Sequence, residues 1–422
     1  MPSRARRVLI VVENLPVPFD RRVWLEATTL ARHGDRVSVI CPKAKGFTRS
    51  HEVIEDVEIF RYPVPVNASG PLGFAIEFIW CFAATALISL YIATRGRGFD
   101  VLHACNPPDT FWLLGRFWKL FGKRYIFDHH DLSAEMFAVK FNRSSGALYR
   151  GLLWLERQSM LAADVVITTN ESHKAIAVAR GGKHAEDVIV VRSGPDLARL
   201  PVLPADPAYR AGKAHLLVYL GEICKQDGVD FMVRAVKLLA EQHGRTDFRA
   251  LFVGGGPHQP AIKAYAEAEG IMAYAAFTGR VSDGELCRIL SSATIGIDPD
   301  PKNPWSDKST MNKVIEYMHF GLPVVAFDLH ETRVSAAEAG VYAKANSEAD
   351  LAATISALLD APDRMAAMAE AGRARVRDVL AWNHSVAPLL RAYDRAMAPQ
   401  EARSAVVSGE TGSEVTRAAG VK

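Results

Sequence analysis

Apolar positions along the chain alternate between short β-branched runs and longer stretches at helical spacing, the rhythm of βαβ units around a parallel sheet. Residues 8–12 read as a first strand. Residues 21–33 carry Val23, Leu25, Leu30 and Ala31 at helical intervals and stop at Gly34, and 37–41 read as the next strand. Further strands are expected at 101–104, 125–128, 165–168 and 188–191. Between Gly194 and His215 the periodicity lapses into a run holding Pro195, Pro201, Pro204 and Pro207, the composition of an exposed connector and hinge. The rhythm then restarts, with strands at 216–220, 248–253, 294–297 and 324–327 and helices at 229–241, 261–269 and 312–320.

The pattern predicts an α/β protein with two Rossmann-like, doubly wound parallel-sheet domains. Domain one is placed at 1–194, the linker at 195–214 and domain two at 215–380. A last helix at 381–398 is expected to dock back on the first domain, followed by a frayed tail at 399–422. Doubly wound sheets bind ligands beyond the carboxyl ends of their strands, so two such domains facing each other would put the site in the cleft between them.

Composition narrows the function. A net charge of +3, with Arg4, Arg6 and Arg7 at the start, is too mild and scattered for a dedicated nucleic-acid binder. The five cysteines are odd in number, far apart and never in a C-x-x-C pair, which argues against a disulfide framework and a zinc site and for a reducing cytosol. No signal peptide is expected, because the apolar run 8–12 is followed at once by Glu13 and Asn14.

Residues 78–93 are uncharged and apolar but fall short of the ~18–20 residues of a spanning helix, so they read as a helix buried in the first domain. Residues 111–124 mix Trp112, Phe117, Trp118 and Phe121 with Arg116, Lys119, Lys123 and Arg124. That composition suits a peripheral membrane contact or a core helix with snorkelling basic tips.

Two segments carry candidate chemistry. Gly254, Gly255 and Gly256 follow a strand and precede a helix opened by Pro260, where the chain turns tightly and backbone can approach a ligand; a plain turn has the same composition. In the segment 307–328, Asn312 suits an N-cap, and residues 309–313 would present backbone N–H groups and hydroxyls at the positive end of a helix dipole, suited to a diphosphate. Glu316 lies one turn further in. Its carboxylate could accept both hydroxyls of a ribose, or it could be a solvated helix residue.

Residues 309–328, with Phe277-Thr-Gly-Arg-Val281 and Val253-Gly-Gly-Gly-Pro257, resemble family 4 of the retaining, GT-B-type glycosyltransferases, and look closest to the branch making bacterial O-antigen, capsule and exopolysaccharide. Glu13-Asn-Leu-Pro16, Asp20-Arg-Arg22, Asn106-Pro-Pro-Asp109, Asp128-His-His-Asp-Leu132 and Val191-Arg-Ser-Gly-Pro-Asp196 agree, so the resemblance runs over residues 8–396. It implies a nucleotide sugar held by the second domain and transferred to a glycan acceptor, on a polyprenyl diphosphate, bound by the first. The protein would work in the cytoplasm or on the cytoplasmic face of the inner membrane, with no cofactor and no metal.

Carried over, His130 lies beside the donor sugar and Glu316 holds the ribose. Gly221, Lys225, Gly254, Gly255, Arg280, Ser309, Thr310, Met311, Asn312 and Lys313 line the donor side, and Asn14, Arg21, Asn106, Asp109 and Asp131 the acceptor side. Lys308 stands where many members have a glutamate touching the sugar. A cation cannot accept hydroxyl hydrogen bonds, so either Asp307 takes that role or the sugar is read differently. Glu222 and Asp227 stand where members have an arginine and a lysine facing the diphosphate, leaving Lys225 between them to supply charge from a shifted position.

A same-face transfer, as proposed for the family, needs no carboxylate nucleophile, since the leaving phosphate oxygen accepts the acceptor's proton. Three alternatives remain: a metal on Asp298-Pro-Asp300, a non-catalytic nucleotide-binding module, and a pyridoxal-phosphate phosphorylase on a similar fold.

Overall fold

The structure, a computed structural model, describes residues 5–64, 70–96 and 98–399. The chain divides into two units, Met1–His130 with Leu152–Val191 and Val386–Lys422, and Asp131–Gly151 with Arg192–Ser385.

In the first half the elements are β1 (Arg7–Val11), α1 (Arg21–Arg32), β2 (Arg36–Pro42), β3 (His51–Ile54), β4 (Val57–Tyr62), α2 (Gly70–Thr94) and β5 (Val101–Cys105). There follow α3 (Trp112–Lys119), β6 (Arg124–His129), α4 (Ser133–Phe141), α5 (Ala147–Ala162), β7 (Val165–Thr168), α6 (Glu171–Ala179) and β8 (Val188–Val190). The sheet order is β3-β4-β2-β1-β5-β6-β7-β8. All its pairings are parallel except β3 with β4. Leu9, Val11, Leu102 and Phe127 are fully buried along the central strands, which is why these segments read as continuous apolar runs.

In the second half come β9 (His215–Leu220), α7 (Val229–Glu241), β10 (Phe248–Val253), α8 (Gln259–Ala268), β11 (Ala275–Gly279), α9 (Asp283–Ser292) and β12 (Ile295–Asp298). These lead to α10 (Asn312–His319), β13 (Val324–Phe327), α11 (His330–Ala336), β14 (Gly340–Ala343), α12 (Glu348–Leu359), α13 (Pro362–Arg375) and α14 (Asn383–Met397). Its sheet is wholly parallel, ordered β11-β10-β9-β12-β13-β14. Each sheet reverses its winding once, between β1 and β5 in the first and between β9 and β12 in the second, and such reversals open crevices at the carboxyl ends of the strands.

Several elements depart from the sequence reading. The β3–β4 hairpin turns on Glu55 and Asp56, both with positive φ, without the glycine or asparagine that usually marks such a turn. The proline-bearing segment is largely exposed, as a connector should be, and it is also fastened to the second unit. Leu200 is buried in that unit's core, its carbonyl accepts from His319, and the Leu203 and Asp206 amides bond Ser291 and Ser292. Tyr393 of α14 lies in the first unit, 2.6 Å from His103, and Arg395 pairs there with Glu186 and Asp187. Beyond Pro399 the expected tail lies outside the described residues. All five cysteines are free thiols.

The largest correction concerns the apolar segment 78–93. It belongs to a 25-residue helix, α2, that is only partly covered. Along 76–94 the fully buried side chains are Cys81, Thr85, Ser89 and Ile92, a stripe flanked by the half-buried Phe82, Ala84, Ala86, Ile88 and Ala93, so the helix lies on the domain rather than inside it.

That stripe covers Glu13, just past β1. Burial pushes the Glu13 carboxyl up to about 8 despite a hydrogen bond from Cys81, and the nearby Glu77 adds to the rise. The unfolded chain ionises this group near 4.5, whereas the folded chain keeps its proton to about pH 8. The folded state therefore binds more protons across this window, and the group's stabilisation, complete below 4.5, is lost as pH rises through 8. Urea denaturation of wild type and Glu13→Gln at pH 5 and above pH 8 should show wild type losing on the order of a few kcal/mol more than the variant. Parallel losses in the two proteins would refute it.

Candidate active site

At the reversal in the first sheet, four side chains converge on Asp128 at the end of β6. Asp20 caps α1 by accepting from the Val23 amide at 3.1 Å, which sets Arg22 in the first turn pointing inward. The Arg22 guanidinium donates to Asp128 Oδ1 at 3.0 Å and to the Val191 carbonyl at 2.8 Å, and lies 3.1 Å from Glu26 Oε1. His130 Nε2 is 2.6 Å from Asp128 Oδ2, and His103 Nε2 is 3.3 Å from the same oxygen. Tyr393 Oη lies 2.6 Å from His103 Nδ1.

The tautomer of His103 follows from its two partners. Burial lowers the His103 pKa and raises that of Tyr393 well above the usual phenol range, so a neutral His103 accepts the tyrosine proton at Nδ1 and donates from Nε2 to Asp128. His130 Nε2 is gripped from two sides, by Asp128 and by the Arg22 Nε at 2.8 Å. Burial alone would raise Asp128, but the Arg22 charge and the two histidines outweigh it and hold this carboxyl well below its usual range. Burial, and then the charge of Asp128, drives Glu26 the other way, so one carboxylate faces one guanidinium.

Donor atoms of Glu26, Cys105, Asp128 and His130 lie within 4.8 Å of one another. They fit a metal ion poorly, because Arg22 already holds the positive position among them.

Asn106 completes the frame. Its Oδ1 accepts from the His130 amide at 2.6 Å and its Nδ2 donates to Asp109 at 3.0 Å, tying the ends of β5 and β6 together. Of the first-half residues singled out in the sequence, Asn106, Asp109 and His130 therefore come together. Asn14 and Arg21 are exposed, and Asp131 lies where the chain passes into the second unit. The arginine that holds His130 in place is Arg22, not Arg21. The signal for it was the pairing of Arg22 with Glu26, four residues apart on the face that α1 buries.

The second unit has its own crevice between β9 and β12, and α10 fills one side of it. Tyr317 pins the helix: its hydroxyl accepts from the Leu220 amide at 2.7 Å and donates to the Ile297 carbonyl at 3.2 Å. A Cβ at residue 296 would lie 2.2 Å from the Tyr317 ring, so glycine is required there. Lys313 is buried, pairs with Asp300, lies 3.3 Å from Asp298 and sits over the Tyr219 ring. Burial disfavours its charge, yet Asp300 and Asp298 more than reverse this and raise its pKa well above the usual value. Lys313 thus spends its charge on the Asp298-Pro-Asp300 pair, which leaves that pair a poor metal site.

The helix is capped by Met311, whose side chain makes no capping bond, and Asn312, expected as the cap, is the first helical residue. Ser309 bonds the Trp305 carbonyl, while Glu316 is half-buried one turn into the helix. Asp307 accepts from the His330 amide at the start of α11 and pairs with Lys302, so its carboxylate is engaged in joining two loops.

The glycine turn after β10 serves packing first. A Cβ at Gly254 would meet the Gly221 carbonyl at 1.8 Å, and one at Gly256 the Ile223 carbonyl at 2.5 Å, whereas one at Gly255 would meet only the Arg280 side chain, at 3.1 Å. Arg280 lies 3.7 Å from Glu222, Lys225 is exposed, and Asp227 accepts from the Cys224 amide within its own turn.

Two family models match the chain in tandem, a Glycosyl transferase 4-like domain over residues 20–194 and Glycosyl transferases group 1 over 214–361. A sucrose-phosphate synthase structure from Thermosynechococcus elongatus superposes with a TM-score of 0.73 at 18% identity, covering 92% of this chain and 98% of that one. The fold is GT-B, family 4-like. Anabaena HepE in complex with UDP-glucose superposes with a TM-score of 0.67 at 14% identity, over 92% of this chain and 99% of that chain. Glycogen synthase of Mycobacterium tuberculosis is 27% identical over 241 residues, 56% of this chain, and the match spans 56% of that relative's length. D-inositol 3-phosphate glycosyltransferase of Gordonia bronchialis is 24% identical over 93% of this chain and 88% of its own.

The frame around Asp128 predicts a sharp difference between neighbours. Arg22→Ala strands a buried carboxylate and should cost about 3–5 kcal/mol in urea denaturation. Arg21→Ala, at an exposed position, should cost within about 1 kcal/mol. Equal costs would show that Arg22 does not hold the cluster.

Proposed function

We propose that this protein is a retaining glycosyltransferase that moves a hexosyl or N-acetylhexosaminyl group from a nucleoside-diphosphate sugar to a lipid-linked glycan in bacterial surface polysaccharide synthesis, without a metal. The observation that carries the donor side is α10. Its N-terminus lies at the sheet's reversal, lacks a capping bond from Met311, and has Ser309 and Thr310 before it and Glu316 one turn in. Backbone amides at a helix start suit a diphosphate whose charge grows as the glycosidic bond breaks. The Glu316 carboxylate suits a ribose diol. HepE, whose structure holds UDP-glucose, supports a nucleotide sugar as donor.

His130 fits the sugar side of the reaction. With Nε2 committed to Asp128 and Arg22, its Nδ1 is the ring atom offered to a substrate hydroxyl. The acceptor is assigned to the first unit, and the setting is the cytoplasm or the cytoplasmic face of the inner membrane. Since Lys313 is consumed by Asp298 and Asp300, the remaining cations proposed for the diphosphate are Lys225 and Lys308. Lys308 in place of a carboxylate makes the sugar recognition this chain's own.

Purified protein should release UDP or GDP from one member of a panel of nucleotide sugars when given a polyprenyl-diphosphate glycan, and the product should keep the donor's anomeric configuration. Glu316→Gln should lower kcat/KM about 10- to 100-fold, chiefly through KM for the donor, and EDTA should leave the rate unchanged. Glu222 and Asp227, where cations are expected, favour one rival, a non-catalytic nucleotide-sugar-binding module. Donor binding without diphosphate release across the acceptor panel would establish that rival instead.

A further inference from the structure

Helix α2 keeps large apolar side chains on its outer face as well as against the unit. Its buried stripe, Cys81, Thr85, Ser89 and Ile92, is small and half polar, with Ser89 accepting from the Trp118 indole at 3.2 Å. Its outward positions are large and apolar: Ile79 is 70% exposed and Leu87 68%, with Ile76, Trp80, Leu90 and Tyr91 beside them. A helix on a water-soluble surface hides its large apolar residues and shows its polar ones. Here burial of that outer face has to come from something outside the unit.

The surface continues beyond α2. Phe82 stacks on Phe111 at the start of α3, and the packing of Trp118 beneath Ser89 brings the two helices side by side. On α3, Leu113 and Phe117 are exposed, and just after it Leu120 is 82% exposed with Phe121 exposed beside it. Trp112 joins Trp154 of α5 edge to face at 5.7 Å. Trp112 and Trp118 are buried and belong to the core, so Phe117 is the aromatic residue that α3 presents outward.

Basic groups border this surface. The Arg95 guanidinium lies over Tyr91 at the end of α2, Arg116 over Trp112, and Lys123 near Phe99. Glu77 is the one acidic side chain of α2, and it is half-buried next to Glu13.

We propose that the first unit binds an anionic lipid bilayer as a monotopic protein, with α2 lying in the interface plane and its Ile79–Leu87–Leu90 face in the acyl boundary. Arg95, Arg116 and Lys123 meet the lipid phosphates. Three features select a bilayer over a protein partner. Large aliphatic side chains point outward along the whole exposed length of the helix, tryptophan and tyrosine flank them, and the charges at the border are basic. Length would allow α2 to cross a membrane, but its stripe is fixed to the domain through Ser89 and Cys81, so it lies along the surface. This deepens the membrane-face setting proposed above, and its test needs no sugar transfer.

Flotation of the full chain with phosphatidylcholine vesicles, with and without about 30% phosphatidylglycerol, reads the binding directly. Wild type should float with the anionic vesicles. The pair Ile79→Glu and Leu87→Glu, both at exposed positions, should reduce the floated fraction on the order of 10-fold or more with an unchanged urea midpoint. Arg116→Glu should weaken it several-fold in low salt and less at high salt. Alkaline carbonate should release the wild-type chain. Equal flotation of the double variant and wild type would overturn the proposal. So would retention in carbonate, which marks a spanning helix, or a vesicle-free dimer that the double variant converts to monomer, which marks a second copy as the occupant. Diphosphate release measured on the same preparations keeps a failed membrane contact separate from a failed assignment of the reaction.

Discussion

Charge buried at the end of a strand is tolerated only with an opposite partner beside it, and both sheets of this protein end on that constraint. In the first unit the pair is Asp128 with Arg22, and in the second Lys313 lies against Asp298 and Asp300, where burial raises the Asp300 carboxyl well above its usual range even beside the lysine. Desolvating such charges costs several kcal/mol per ion, which the mutual attraction offsets only where the geometry is tight and the remaining lone pairs are satisfied. The neighbouring groups meet that requirement. His103, His130 and Arg22 all serve Asp128, while Lys313 has two carboxylates and an aromatic face. The price of burying charge here fixes the side chains around it to one arrangement.

That fixity is what a transfer site needs. His130, just past β6, is held at its Nε2 by Asp128 and Arg22 and at its amide by Asn106, so its ring has a defined position. In the second unit α10 is anchored by Tyr317 to β9 and β12 and by Lys313 to the end of β12 and the loop beyond it. The amides at its start and Glu316 then take their places from packed elements rather than from a mobile loop. Gly254 and Gly256 work the same way, since they let two loops touch backbone to backbone and so shape the turn before any ligand is considered.

How much of this could be read in the sequence depended on whether local pattern or distant partners decided the outcome. Strands such as β1, β5, β9 and β10 are buried on both faces and announced themselves as apolar runs between turn residues. The β3–β4 hairpin did not, because its turn uses Glu55 and Asp56 where the usual cue is glycine or asparagine. His130, Asn106 and Asp109 were marked by the motifs around them. Arg22 was not singled out, because two adjacent arginines look alike until the N-cap at Asp20 sets which of them faces Asp128. Lys313 looked like a phosphate ligand for want of its partners, 13 and 15 residues away in the chain. Tyr393, 290 residues from His103, left no local trace at all.

Helix α2 shows the opposite failure, in which composition was read correctly and its consequence was not. An apolar segment short of a membrane span is usually a core helix, and burial would have followed from hydrophobicity alone. The fully buried residues that touch the domain are Cys81, Thr85, Ser89 and Ile92, with Phe82, Ala84, Ala86, Ile88 and Ala93 half-buried beside them, while Ile79, Leu87 and Leu90 stay outside. The contact covers Glu13 and Tyr62 and fits closely around Trp118. The two faces of α2 thus answer to two solvents. The helix shows almost no one-sided periodicity at 100° per residue, so neither the pattern nor a hydrophobicity averaged over the segment could tell which face is covered.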